Sequence, residues 1–273
     1  MRFTLREIVK KILPDFLIGA VTGFFYGWHG DYKNWHAASA NCSGYDAGAI
    51  LKKVEMSSLL VKSGEAVYER DSFVFDTIQY SYPLLAALMW VAARDNGTIN
   101  MLDFGGSLGS TYFQNRKFLD SLPQVNWSVV EQPRFVKSGK DHFEDERLHF
   151  FESADECCNM YNINVALFSS VLQYLEDPYM ILNKIKSYGI RYLIIDRTPF
   201  VSGKDRITVQ KVNPRIYSGS YPCRFFNKDG FIKKLTFDYE LILEFDALDK
   251  ANIKSEFKGF LFSLKQVTKE RSG

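Results

Sequence analysis

The chain has only four cysteines in 273 residues, Cys42, Cys157, Cys158 and Cys223, and none of them sits at a metal-binding spacing. The adjacent Cys157 and Cys158 make a poor disulfide framework, so a reducing cytoplasm is the expected setting and no metal is expected. An excess of either charge is missing too. With 34 basic and 32 acidic residues the formal net charge is +2, which provides no global field for nucleic acid, and no nucleic-acid partner is expected. The apolar stretch from Leu13 to Phe25 is broken by Pro14, Asp15, Gly19 and Gly23, short of the roughly 20 apolar residues a membrane-spanning helix needs. No small-residue cleavage site follows it, which argues against a signal peptide. Internal repeats and low-complexity tracts are absent, and so is the dinucleotide fingerprint Gly-x-Gly-x-x-Gly. What remains is 46% hydrophobic and 15% aromatic residues, enough for one domain with a substantial core and an appendage.

The organising stretch is Ile99 to Gly109. An apolar run ends in Asp103, glycines follow at 105, 106 and 109, and Ser110 to Asn115 opens a helix. Strand, glycine loop and helix together make a cofactor loop, because glycine lets the backbone approach a ligand and the helix N-terminus favours an anionic group. Four further apolar runs follow in the same rhythm. Val125 to Val130 ends at Glu131, before a helix from Pro133, and Leu148 to Phe151 exits at Glu152 and Ser153. Ile163 to Ser170 reads as a buried strand, with Asp177 capping a helix at Pro178, and Ile190 to Asp196 delivers Asp196 and Arg197. Strands alternating with helices predict an α/β fold with a doubly wound, mostly parallel sheet. Residues 239–246 and 257–264 alternate as an antiparallel pair would, and 201–236 reads as polar turns and aromatics inserted before it. The domain proper is expected over residues 98–273.

Residues 1–97 read as a helical and aromatic N-terminal extension that caps the substrate. Arg2, Arg6, Lys10 and Lys11 flank Phe3, Leu5, Ile8 and Val9, an amphipathic opening expected to pack on the domain, with peripheral membrane contact as the other reading. Between Tyr26 and Asp46 the chain is rich in Gly, Trp, Tyr and His, either lining a pocket or pinning an irregular arm through Trp28 and Trp35. A helix is expected over about 47–61, and another opens at Pro83 and stops near Asn96-Gly97. The charged run Glu69-Arg70-Asp71 reads first as a solvated face, and as a site contribution only if the arm folds back over the domain.

The loop resembles the first motif of the class I S-adenosylmethionine (SAM) methyltransferases, Asp-x-Gly-x-Gly-x-Gly, with Ser107 in place of the middle glycine. More closely, the chain resembles a bacterial family of methyltransferases associated with surface-polysaccharide biosynthesis genes. The likeness runs through Tyr45-Asp46, Glu69-Arg70-Asp71, Leu102 to Ser110, Tyr112 to Arg116, Val129 to Gln132, Ser169 to Leu175 and Asp196 to Phe200, and Ser107 belongs to that pattern. It implies a Rossmann-like methyltransferase sheet whose last strand is antiparallel, with SAM as cofactor. The implied cofactor residues are Asp103, Gly105, Gly106, Ser107 and Gly109 at the methionine end, Glu131 with Gln132 at the ribose, Glu152 and Ser153 around the adenine, and Ser169 and Ser170 at the fourth strand. For catalysis Asp196 is expected as base or orienter, with Arg197 and Arg70 holding a small-molecule or saccharide acceptor, O-methylated on a sugar or sugar-linked group. His142 and His149 should lie at the wrong edge, while His29 and His36 could be carried over the site by the extension. The alternatives are a non-catalytic SAM-fold scaffold and, disfavoured by the glycine spacing, a nucleotide-dependent oxidoreductase.

Overall fold

The computed structural model describes residues 25–45, 47–70, 73–214 and 216–265. The amphipathic opening, the apolar stretch up to Phe24, and Asp46, Asp71 and Ser72 lie outside the described residues, as does the Arg70 side chain. Glycines and a cap shape the first part. β1 (Gly27–Tyr32) leads into α1 (Trp35–Ser39), whose N-cap Asn34 side chain accepts the Ala37 N–H at 2.8 Å. β2 (Gly44–Tyr45) and α2 (Ala47–Ser63) follow, then a hairpin of β3 (Tyr68–Arg70) and β4 (Phe73–Phe75), whose Tyr68 and Phe75 rings stack 5.7 Å apart. α3 (Tyr82–Arg94) opens with proline in its first turn and buries Leu84, Leu88 and Val91. Asn96 and Gly97, both with positive φ, end it, and the Gly97 N–H returns to the Ala92 carbonyl at 2.7 Å.

From Thr98 the expected alternation appears: β5 (Thr98–Phe104), α4 (Ser110–Leu119), β6 (Gln124–Val130), α5 (Pro133–His142), β7 (Leu148–Phe151), α6 (Ala154–Met160), β8 (Val165–Ser169), a 3-10 turn at Leu172–Tyr174, α7 (Pro178–Ser187) and β9 (Tyr192–Val201). The strands lie side by side in the order β7, β6, β5, β8, β9, all parallel. β12 (Tyr239–Asp246) and β13 (Glu256–Leu264) form the antiparallel pair that closes the sheet, with β13 antiparallel to β9. Consecutive residues of β5 bury opposite faces. Met101 joins Leu88, Tyr112, Trp127 and Phe150, while Leu102 joins Ala166, Phe168, Leu182 and Phe260. This is the doubly wound, Rossmann-like sheet expected from the sequence.

The region 201–236 differs from its expected turns. It holds two strands, β10 (Arg206–Lys211) and β11 (Gly219–Asn227), and a helix, α8 (Lys228–Leu235). β9 runs past Asp196 to Val201, where its end pairs in parallel with the end of β11. β10 pairs with β11, and β1 and β2 of the extension add to their free edges, all antiparallel. The physical reason is the β-branched run Ile207-Thr208-Val209 opposite a strand in which Cys223 and Phe225 alternate with Arg224; Thr208 stands opposite Cys223, and Cys223 and Phe225 give that face of the added strands a core of its own. There Trp28 packs on Phe225 and Phe257, and its Nε1–H donates to the Cys223 sulfur at 3.2 Å. The extension therefore contributes strands as well as helices, and β1 and β2 hydrogen-bond across the expected boundary at residue 97. Among the described residues no helix is long and apolar enough to cross a membrane.

Behind the sheet edge, Phe200, Phe226, Phe231 and Phe260 form a ring cluster with centroids 5.1 to 6.4 Å apart. Phe260 is fully buried against Phe200 and Phe231. Phe260→Ala is expected to cost about 3–5 kcal/mol, read as a lower urea midpoint at unchanged slope, because it removes apolar contact and leaves a cavity.

Candidate active site

The C-terminal ends of β5, β6, β8 and β9 open onto a cavity of about 580 Å³, the place where open α/β sheets hold their ligands. The glycine loop forms its floor. Gly105 has φ +73° and its N–H donates to the Val130 carbonyl at 2.9 Å, tying the loop to the next strand. Beneath it, Asp103 is 1% exposed and accepts the Trp127 Nε1–H at 3.0 Å. Burial pushes the Asp103 carboxyl up from its ordinary 3.8 to about 7, against the Trp127 hydrogen bond. Gly106 closes over this carboxylate so tightly that a Cβ there would stand 2.5 Å from its Oδ2.

Glu131 begins where β6 ends. Its Oε2 accepts the Gln132 N–H at 2.8 Å and it also accepts the Ser107 N–H, so the second strand's carboxylate is joined to the loop. Burial raises its pKa and these two backbone donors oppose the rise. Where the pairing of β8 with β9 ends, midway along β9, Asp196 is 2% exposed, with the Ser169 hydroxyl 3.4 Å from Oδ2 and, among the described residues, no hydrogen-bond partner for Oδ1. Burial brings its pKa up to about 6, tempered by the adjacent Arg197. The Arg197 guanidinium grips Asp249 of the β12–β13 connection through Nε and Nη2 at 3.0 Å. Among the described residues four non-glycines have positive φ, and three of them, Ser107, Ser170 and Arg197, line this cavity. Strained backbone of that kind collects where a site requires it.

Opposite the loop the cavity wall is aromatic and polar. The Tyr174 hydroxyl donates to the Gln210 Oε1 at 2.8 Å, the Tyr217 and Tyr221 hydroxyls lie 2.8 Å apart, and the Tyr174 and Tyr221 rings meet edge to face. Trp28, Tyr68, Glu69 and Gln79 of the extension complete it.

Asp103, Gly105, Gly106, Ser107, Glu131, Ser169, Ser170, Asp196 and Arg197 thus come together as the sequence led one to expect. Four expected residues stand elsewhere. Gly109 caps α4 and lets it pack on β7, since a Cβ would meet Leu148 at 3.1 Å. Gln132 is exposed and contributes its N–H to Glu131. Glu152 and Ser153 belong to the start of α6: the Ser153 hydroxyl accepts the Glu156 N–H at 3.2 Å, and the Glu156 carboxylate accepts the Glu152 N–H at 3.2 Å. His29 and His36 do not line the cavity either, and His142 and His149 pair with Glu55 and Glu144 away from it. Glu69 overturns the solvated reading of its charge run, being 4% exposed. Tyr217 and Tyr221 belong to the aromatic insertion, a usual place for substrate contacts, whereas Gln210 was not expected because that insertion reads as turns rather than strands. Its β-branched run was the available signal.

The sequence matches no family model and no curated protein. Among solved structures it is similar to the 1,6-didemethyltoxoflavin-N1-methyltransferase of Burkholderia thailandensis, at 12% identity over 80% of this chain and 89% of that one, with a TM-score of 0.45. It is similar also to the magnesium protoporphyrin IX methyltransferase of Synechocystis, at 10% identity over 78% and 97% of the two chains and a TM-score of 0.43. The N-methyltransferase NodS of Bradyrhizobium japonicum aligns at 13% identity over 67% and 94%, with a TM-score of 0.40. At such scores the chemistry of this cavity rests on its own residues.

The Asp103 carboxylate makes a stability prediction. Because folding raises its pKa from 3.8 to about 7, the folded state holds the proton more tightly, and stability is lost as pH rises through that window. Asp103→Asn keeps the Trp127 hydrogen bond without the charge. The ligand-free variant is expected to match the parent near pH 4 and to exceed it by about 2–4 kcal/mol at pH 8, in urea melts at both pH values.

Proposed function

We propose that this chain is a SAM-dependent methyltransferase acting on a hydroxylated small-molecule or saccharide acceptor. The observation that carries the reading is the linkage of three parts in one cavity: buried Asp103 under a close-fitting glycine loop, Glu131 at the next strand end bonded to that loop, and Asp196 with a buried, unpartnered oxygen at the fifth strand. Carboxylates of Glu69, Asp103, Glu131, Asp196 and Asp249 line it against the cations Arg197 and Lys250. That balance favours a cationic ligand such as a sulfonium and opposes a dinucleotide pyrophosphate, which weighs against the oxidoreductase reading.

When bound, SAM supplies an electrophilic methyl group for in-line displacement by the acceptor. The chain's own part is alignment, exclusion of water and removal of one proton. Glu131 is suited to accept from both ribose hydroxyls, and the Gly105 to Ser107 backbone to support the methionine end. Asp196, through Oδ1, takes the acceptor's proton; the tyrosines and Gln210 orient its other polar groups. Arg197 meets the acceptor as half of an ion pair with Asp249, and so serves orientation better than capture of an anion. The resemblance to polysaccharide-associated methyltransferases directs the acceptor screen to nucleotide-linked sugars and oligosaccharides.

Calorimetric titration is expected to give saturable binding of SAM and S-adenosylhomocysteine and none of NADH. Glu131→Ala should weaken both sulfur nucleotides about 10- to 100-fold through loss of charge-assisted hydrogen bonds, and unchanged affinity removes Glu131 from the site. With an acceptor in hand, the parent's kcat should fall at acid pH, below the ligand-free value of about 6 because the bound sulfonium favours ionised Asp196, once Asp196 is protonated and can no longer accept a proton. Asp196→Asn should lower kcat at least roughly 100-fold and abolish that limb while leaving SAM affinity unaltered. Full turnover by the variant would take the base role away from Asp196.

A further inference from the structure

The 3-10 turn after β8 sends two neighbours to different places. Tyr174 lines the cavity, whereas Gln173 is 1% exposed and takes no part in the lining. Its side-chain amide donates to two partners at once, the Ser170 hydroxyl at 3.1 Å and the Arg197 carbonyl at 3.3 Å. Both partners belong to residues with left-handed backbone, φ 57° at Ser170 and 52° at Arg197, which a residue with a Cβ holds only under constraint. Both also touch Asp196. The Ser170 N–H donates to the Asp196 carbonyl at 3.0 Å, and the Arg197 N–H donates to the Asp196 carboxylate. The amide can stand only one way round, because exchanging its nitrogen and oxygen would set two carbonyl oxygens against each other at Arg197. In that orientation Gln173 Oε1 is buried with no hydrogen-bond partner among the described residues, which costs stability. Packing alone would be served better by an apolar side chain, as at the buried Leu172 beside it.

We propose that Gln173 is a positioning residue for the base: its amide clamps the exit of β8 to the middle of β9, so that the Arg197 N–H stays on the Asp196 carboxylate and Oδ1 stays open to the acceptor. The inference rests on the methyltransferase reading for the use made of Asp196, though not for the clamp itself. Without the clamp the Arg197 backbone is free to relax from its left-handed conformation, and its N–H turns away from the carboxylate. The charged groups acting on Asp196 are Arg197 beside it and Asp249 of the β12–β13 connection. From β8 and the 3-10 turn come Ser169, Ser170, Gln173 and Tyr174, none of them charged at neutral pH. On β13, Lys258 stands opposite Thr198 and is engaged by Asp246 and Glu244.

The test is a carbon-13 NMR titration of the ligand-free full chain labelled at the aspartate carboxyls, with Asp196→Asn and Asp103→Asn assigning the two signals. In the parent Asp196 should titrate near pH 6 and Asp103 near pH 7. Q173M removes the donor at nearly constant shape. It should move the Asp196 titration up by about one pH unit, a tenfold change in protonation, through loss of the Arg197 N–H, and leave Asp103 in place. A merely loosened structure gives the opposite sign, since water reaching both carboxyls brings both titrations down toward 3.8. An Asp196 titration unmoved or lowered in Q173M overturns the proposal. If Q173M does not fold, Gln173→Asn carries the test: its amide is drawn back by one methylene from both partners, so Asp196 should again shift upward, and an unmoved titration overturns the assignment. Calorimetry with S-adenosylhomocysteine keeps the two readings apart. Parent and variant should bind it alike, because the residues assigned to it stand at the ends of β5 and β6. A parent that does not bind it removes the methyltransferase reading, while the titrations still decide the clamp. Equal binding with an unmoved Asp196 titration refutes the role of Gln173 alone.

Discussion

A carboxylate buried at the end of the central strand sets the terms for everything around it. Asp103 cannot be hydrated, so it needs a donor from within, and the indole of Trp127 on the neighbouring strand supplies one at 3.0 Å. That requirement fixes Trp127 in the core and the register of β5 against β6. It also fixes the loop, because the chain turns directly over the carboxylate and leaves no volume for a side chain at Gly106. The fold gains nothing from a charge placed there, and the raised pKa measures how poorly the ligand-free protein tolerates it. An energetic burden at this position has a function only if something positive sits above it. Binding sites often stand at odds with stability in this way.

The loop transmits that constraint outward. Ser107 holds a left-handed φ of 57° and offers its N–H to Glu131, so the second strand's carboxylate is set by the same turn that covers the first. On the other side of β5, Ser170 and Arg197 hold similar conformations at the ends of β8 and β9. Arg197 reaches Asp249 from there and ties the connection between β12 and β13 to the cavity rim. Local backbone strain at three strand ends is sustained because each strained residue is held by partners from a different part of the sheet.

How much of this was readable in advance follows from how local each signal is. The strand, loop and helix around Asp103 are encoded within a dozen residues, and so are the proline starts of α3, α5 and α7. Glu131, Asp196 and Arg197 could be placed because an acidic residue at the end of a buried strand has one sheet edge to occupy. Gly109, Glu152 and Ser153 do not line the cavity for a related reason: in the ligand-free chain helix packing and a capping hydrogen bond already engage them. The cap was hardest to read. β1 and β10 are paired from segments some 180 residues apart, Gly27 opposite Lys211, and β1 has no strand to join until β10 is in place beside β11. Nor does the sequence around Glu69 announce its burial, because the same three charges would be solvated if β3 did not lie on α4.

On the proposed reading the two deeply buried aspartates divide binding from proton transfer within one cavity. Both are pushed up by burial, yet their surroundings differ in what they leave open. Asp103 is covered by the loop and has an indole donor, so its charge acts through the field it casts on whatever lies above Gly106. Asp196 keeps one oxygen without a hydrogen-bond partner among the described residues, beside a long contact from Ser169 and the Arg197 backbone N–H, so it has capacity to receive a proton. A cationic methyl donor strengthens this division. Its positive charge stabilises the ionised form of each carboxylate, so bringing in the donor also readies the base. With SAM as the donor, methyl transfer would remove that charge, and the part proposed for Asp196 would be to take the acceptor's proton at that stage. On that proposal the carboxylates around the cavity respond to the charge of the ligand itself.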